Sequence, residues 1–171
     1  MKAHTLINEA ALNEIKRYLI KPAIKIIIWT TSVVLFVFAI VAAWFGDYVN
    51  AAIMAIGIIL FQVELHVLTN KHVKSALNTL RELYGKDMVE GELILDEKEM
   101  HVINPLTNAD LALSYAVMSR LIGTRHYYLL ITAQWQWVLI DKGQFTEELH
   151  RQFIQMINEK MPQISKKNIT E

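Results

Sequence analysis

Between Ile26 and Gly46 the chain runs for 21 residues without a charge, and after the single Asp47 it runs for 16 more, Tyr48 to Val63. A helix needs roughly 20 mostly apolar residues to cross about 30 Å of hydrocarbon. The first run meets that length outright. The second meets it by continuing to Leu68, across Glu64 and His66. The pattern predicts a transmembrane helical hairpin over residues 26–68, with spans at about 26–45 and 49–68. Neither run carries the polar stripe of a soluble surface helix. A cleaved signal peptide ending near Val41-Ala42-Ala43 fits poorly. The run exceeds the roughly 7–15 residues of a signal core, and a second apolar run follows at once.

Before the first span, "NEAALNEIKRYLIK" has helical spacing, with Ala11, Ile15, Tyr18 and Leu19 on one face. Asn8 is a partial cap, because Ala11 rather than Glu stands three places on. "KAHTLI" before it reads as a short strand. Residues 1–25 are assigned to an N-terminal amphipathic, juxtamembrane segment, with Pro22 at a helix start. After the second span, 69–84 reads as a helical extension closed by Gly85.

The period then changes. "VEGELIL", "EMHVIN", "ADLALS", "VMSRLIG", "HYYLLIT" and "WQWVLID" are short β-like runs, with "NPLTN" as a turn. "TEELHRQFIQMINEKM" is an amphipathic helix, capped by Thr146, with Leu149, Phe153, Ile157 and Met161 on one face. Residues 85–162 form the predicted domain and 163–171 a loose tail. The expected fold class is α+β: a membrane hairpin plus a small antiparallel sheet or barrel, closed by a C-terminal helix.

Charge adds direction. Lys16, Arg17, Lys21 and Lys25 precede the first span, Lys71, Lys74 and Arg81 follow the second, and the link "GDYVN" has no basic residue. The positive-inside rule places both ends in the cytoplasm and the link outside. The expected location is the plasma (inner) membrane. Trp29, Trp44 and Tyr48 suit its interfaces. Ala39/Ala43 and Ala51/Ala55 are small residues four apart that permit close helix approach.

Composition excludes several chemistries. The 17 basic and 17 acidic side chains balance, which argues against nucleic acid as a partner. There is no cysteine, hence no disulfide or thiolate chemistry. The six histidines show no i, i+3 or i+4 pairing, so no metal site is expected. There is no nucleophile elbow and no Gly-rich phosphate loop, so no cofactor and no enzyme activity are expected.

The order of elements, and the stretch "LSYAVMSRLIGTRHYYLLITAQWQWVLIDKGQFTEELHRQFIQMI" over residues 113–157, resemble the bacterial YcxB-like membrane protein family. Its C-terminal domain is similar to a pleckstrin-homology (PH) fold. Tyr115 stands where the family often has Trp. "LIDKGQF" stands where it often has an isoleucine-rich strand ending in Pro-Lys-Arg-x-Phe, with Asp141 for the proline and Gly143 for the arginine. The resemblance implies a fold and a location, not a reaction.

Two site candidates follow. Lys16, Arg17, Lys21, Lys25, Lys71, Lys74 and Arg81 face the cytoplasmic leaflet and are candidates for lipid headgroups, although orienting the hairpin alone would explain them. Glu64 is an intramembrane acid about five residues from the cytoplasmic end, near enough for its side chain to reach water, so helix exit is the simpler reading and a functional polar contact the alternative. His66 lies about 200° around the helix from it, so the two share no face. Thr30, Thr31 or Ser32 would be Glu64's partner at the same depth. Trp135 and Trp137 fall on one strand face, with sheet core as the simpler role. Residues 85–171 carry 9 basic and 12 acidic side chains, so no phosphoinositide-type pocket is evident. The expected role is a non-enzymatic, membrane-tethered binding or scaffolding protein, engaging the bilayer and a protein partner or its own copy. The alternative is an oligomeric transport or channel component using Glu64.

Overall fold

The computed structural model describes residues 2–104, 107 and 109–169. Residues up to Ile15 and from Leu77 onward form one compact unit; Lys16–Ala76 form the other.

The first unit is α+β. Strand β1 (Lys2–Ile7) opens the chain and is followed by helix α1 (Glu9–Leu19), which runs into the second unit. Asn8 caps α1: its Oδ1 accepts from the Ala11 amide at 2.8 Å, so the cap forms without the reciprocal glutamate. The second unit holds α2 (Pro22–Trp44) and most of α3 (Tyr48–Tyr84). Three residues, Phe45, Gly46 and Asp47, turn the chain between them. Gly46 sits at φ +80°, and its amide and that of Asp47 reach back to the carbonyls of Ala43 and Ala42 at 3.1 and 2.9 Å. This satisfies the last carbonyls of α2 through a left-handed glycine. Asp47 then caps α3 by accepting from the Asn50 amide at 3.2 Å. The predicted helical extension 69–84 is present: α3 continues unbroken to Tyr84, where Gly85 ends it at φ +64°.

Past α3 the first unit resumes with β2 (Val89–Leu95), β3 (Glu99–Asn104), β4 (Ala109–Ser114), β5 (Met118–Gly123), β6 (Tyr127–Thr132), β7 (Trp137–Asp141), α4 (Glu147–Lys160) and β8 (Ser165–Lys167). The predicted 104–108 turn falls largely on residues outside those described. Two four-stranded sheets result, in the orders β1-β2-β3-β4 and β7-β6-β5-β8. They do not close into a barrel; β1 runs beside β7 without joining its ladder.

Two expectations change here. Lys2–Ile7 belongs to the α+β unit rather than to a separate N-terminal segment: it pairs antiparallel with β2 in the register Lys2↔Ile94 to Ile7↔Val89. The helical hairpin is therefore inserted between the first two strands of one sheet. The tail is not loose either. Ser165–Lys167 pairs in parallel with Arg120–Ile122 of β5, and Ile164 is buried.

One apolar core lies between the sheets and α4. Leu93, Met100, Leu121, Leu130 and Ile140 meet Phe153, Ile157 and Met161, each fully or almost fully buried. The predicted apolar face of α4 thus does what its spacing implies, with Thr146 Oγ1 accepting from the Leu149 amide at 3.2 Å. Leu129, Ile131 and Leu139 point to the opposite face of the second sheet and are also buried. Ala11, Leu12 and Ile15 of α1 are the buried apolar surface available to cover it. Glu14 fastens α1 there: its carboxylate accepts from the His126 amide at 2.8 Å and meets His126 Nδ1 at 2.8 Å.

Candidate functional site

The second unit is built on a seam. On α2 the less exposed positions are 28, 31, 32, 35, 39, 42 and 43; on α3 they are 51, 54, 57, 58, 61, 65 and 68. This near-3.5 spacing is that of two helices packed along their length. Ala39, Ala43 and Ala51 lie on it, whereas Ala55 is exposed. At Gly57 an added Cβ would meet Leu35 Cδ1 at 3.8 Å, an ordinary contact, so the backbones are not forced together there.

Most of the surface off the seam is exposed and apolar. Trp29 is 64% accessible, Phe36 58%, Phe38 57% and Ile53 60%. Both helices are long and apolar enough to cross a membrane, at mean hydropathies of 2.6 and 2.1, and almost none of that surface is covered by the rest of the chain. A core helix of a soluble protein would be covered.

At the charged end of the seam the structure gathers part of the predicted basic set. Lys16 and Arg17 from α1, and Lys25 from the first turn of α2, line an open cleft of about 440 Å³. Its other wall is one face of α3: Gln62, Leu65, His66 and Thr69. Spacings of three and four put these on one side of a helix. Lys25 Nζ donates to the Arg17 carbonyl near the end of α1, a favourable place for a cation. Arg17 lies over the Tyr18 ring, 4.7 Å from its centroid. Thr69 Oγ1 donates to the Leu65 carbonyl at 2.7 Å.

The remaining candidates fall elsewhere. Lys21, Lys71 and Lys74 are exposed outside the cleft. Arg81 belongs to the other unit and forms a two-point ion pair with Asp87. The Asp87 hydrogen bond raises the guanidinium pKa further and lowers that of the carboxyl.

Glu64 is exposed on α3, and among the described residues it forms no hydrogen bond or ion pair. The partner expected for it is engaged otherwise. Ser32 Oγ donates to the Ile28 carbonyl at 2.8 Å and accepts from Gln62 Nε2 at 3.4 Å. Gln62, two places before Glu64 and next to the seam position 61, makes a polar contact between the helices. A neutral amide inside an apolar run was the available signal. His66, opposite Glu64, lines the cleft.

A second groove, of about 320 Å³, lies deeper in the hairpin, lined by Trp29, Val33, Phe36 and Ile58 with Ser32 and Gln62. Among the described residues, no group of three or more His, Asp or Glu side chains is close enough to hold a metal.

In the α+β unit the two tryptophans differ from expectation. Trp135 sits in the β6–β7 turn at φ 68°, so strand alternation does not apply to it. Both tryptophans are half-buried, and Arg120 lies 5.5 Å from the centre of the Trp135 ring. The side chains that do fill the core are Tyr128 and Phe153, with ring centres 5.0 Å apart. Burial pushes the Tyr128 hydroxyl up to about 12. Lys142 Nζ sits 4.3 Å above that ring and donates to the Thr124 carbonyl at 2.6 Å; burial holds its pKa below the usual lysine value.

A comparison with protein-family models gives no match, and a search of curated proteins gives none. The architecture itself defines the class: an α+β unit whose first and second strands are separated in sequence by two apolar helices.

Proposed function

We propose that this is a two-pass membrane protein that holds a PH-like module at the cytoplasmic face as a non-enzymatic binding or scaffolding unit. The observation that carries it is the bare apolar surface of α2 and α3. A contiguous apolar patch beyond a few hundred Å² needs a covering, and hydrocarbon is the covering that suits two helices of this length. The absence of Lys and Arg from the Gly46–Asp47 turn supports an orientation with the turn outside and both ends inside.

The layout supports the YcxB-like resemblance: four strands, three strands and a C-terminal helix packed on the core. Hairpin and module share one chain path twice over, through α1 and through α3. Such a double connection suits an anchor that positions its module. The partner is another protein or a second copy of this chain.

Membrane fractionation tests the reading. The protein is expected to stay in the pellet after an alkaline carbonate wash and to dissolve in detergent. Release by carbonate would overturn it. Glu64→Gln separates scaffold from channel: an anchor keeps its localisation and its co-purifying partners, whereas a transport component loses function.

A further inference from the structure

The basic cleft and the apolar groove share Gln62, and they occupy one side of the hairpin. On α2 the lining runs Lys25, Trp29, Val33, Phe36, at steps of three or four. On α3 it runs from Thr69 through Gln62 to Ile58, again on one face. The end near the chain's charged segments is cationic; the deeper end is apolar. From Lys25 to Phe36 is 11 helical rises, roughly 16 Å, close to the roughly 15 Å depth of one hydrocarbon leaflet.

We propose that this continuous groove is a binding site for one anionic glycerophospholipid of the cytoplasmic leaflet. The phosphate meets Lys16, Arg17 and Lys25, with His66 and Thr69 at its border, and one acyl chain lies along Trp29, Val33, Phe36 and Ile58. This inference rests on the membrane reading above and names the ligand of that same surface.

Three features favour a lipid over a soluble phosphate. The cations are on the last turn of α1 and the first of α2, where α2 and α3 leave the hydrocarbon. The cleft floor includes Leu65. The adjoining groove carries no cation and is lined mainly by the apolar Trp29, Val33, Phe36 and Ile58, which a soluble anion would not use. Its 320 Å³ and the cleft's 440 Å³ are each within the roughly 300–1,000 Å³ of ordinary ligand pockets. Arg17 gives a planar fork for phosphate oxygens. Lys25, already bonded to the Arg17 carbonyl, is held in place rather than recruited.

The test is native mass spectrometry of the full chain in detergent, where no bilayer supplies diffuse attraction. Dioleoyl phosphatidylglycerol, dioleoyl phosphatidylcholine and glycerol phosphate are titrated separately. One phosphatidylglycerol per chain is expected, held at least tenfold more tightly than either comparison. Equal retention of both lipids would overturn the headgroup half; equal binding of glycerol phosphate would overturn the acyl half. Lys16→Gln with Arg17→Gln is expected to weaken retention by roughly 30-fold, at about fivefold per cation near an anionic lipid. Lys71→Gln with Lys74→Gln, removing the same charge outside the cleft, is expected to leave it within twofold. Equal losses from both pairs would mean unsited attraction and overturn the proposal. The lipid comparison on the unmodified chain decides the matter if a variant fails to fold. Carbonate extraction of the same protein separates the two claims. An inserted protein without lipid preference sinks this inference alone, and a soluble one sinks both.

Discussion

Glu14 shows how one side chain fastens a helix to a distant part of the fold. Burial pushes its carboxyl pKa up, but hydrogen bonds from Thr124 and from the amide and ring of His126 outweigh that. The net result is a carboxyl below its ordinary 4.5. Its stabilisation is therefore complete above about that value and is lost as the pH falls through the folded-state pKa. Thermal melts across the acid range should show Glu14→Gln less acid-sensitive than the unmodified chain. At neutral pH the same variant should be less stable by about 1–2 kcal/mol. A pH-independent offset between the two would contradict the assignment. His101 moves oppositely: the Asp110 hydrogen bond at 3.0 Å raises its pKa above 6.5. That contribution is present below the ordinary value and fades as the pH rises through the folded one. Asp110→Asn should return the His101 NMR titration toward 6.5. Glu14 was not legible as a clamp, because its partner lies 112 residues away in sequence. Glu64 was conspicuous, being a charge in an apolar run, yet the contact between helices is made by the uncharged Gln62.

At the level of elements, patterns of local origin read well. The strand runs and α4 fall within two residues of their predicted ends, because alternation and capping are local. Pairings between distant segments did not read. "KAHTLI" has strand composition, but nothing in it announces that its ladder partner begins at Val89, beyond two apolar helices. The tail "SKK" lacks any apolar alternation, and only the β5 edge makes it a strand. That edge is tight. A Cβ at Gly123 would sit 2.3 Å from the backbone oxygen of Asn168. Gly123→Ala should displace the tail, abolishing hydrogen-exchange protection at 165–167 while the β5–β6 ladder stays protected. Unchanged protection in the tail would contradict the pairing. Removing residues 1–7 should lower stability by several kcal/mol, since it strips one hydrogen-bonded edge of β2 and takes the buried Ala3 and Thr5 with it. A small domain confined to residues 85–162 would not notice.

For the whole molecule, the pair of long apolar helices was legible because length and apolarity suffice to define a candidate span. The position of its insertion, inside a sheet rather than before a domain, depended on long-range pairing and was not. Both connections of the module to the hairpin are helical, α1 and α3, and the basic set divides accordingly. Lys16, Arg17 and Lys25 are gathered into a cleft, and Arg81 is spent on Asp87 within the module. The central claim is that α2 and α3 cross a bilayer once each, with the module and both ends on the same side. The chain has no cysteine, so single introduced thiols report without background. Asn50→Cys in the first turn of α3, beside the link, and Glu97→Cys in the module can each be exposed to a membrane-impermeant maleimide in intact cells and after lysis. The account predicts that Asn50→Cys is labelled in intact cells and Glu97→Cys only after lysis. Labelling of both positions, or of neither, in intact cells would contradict it.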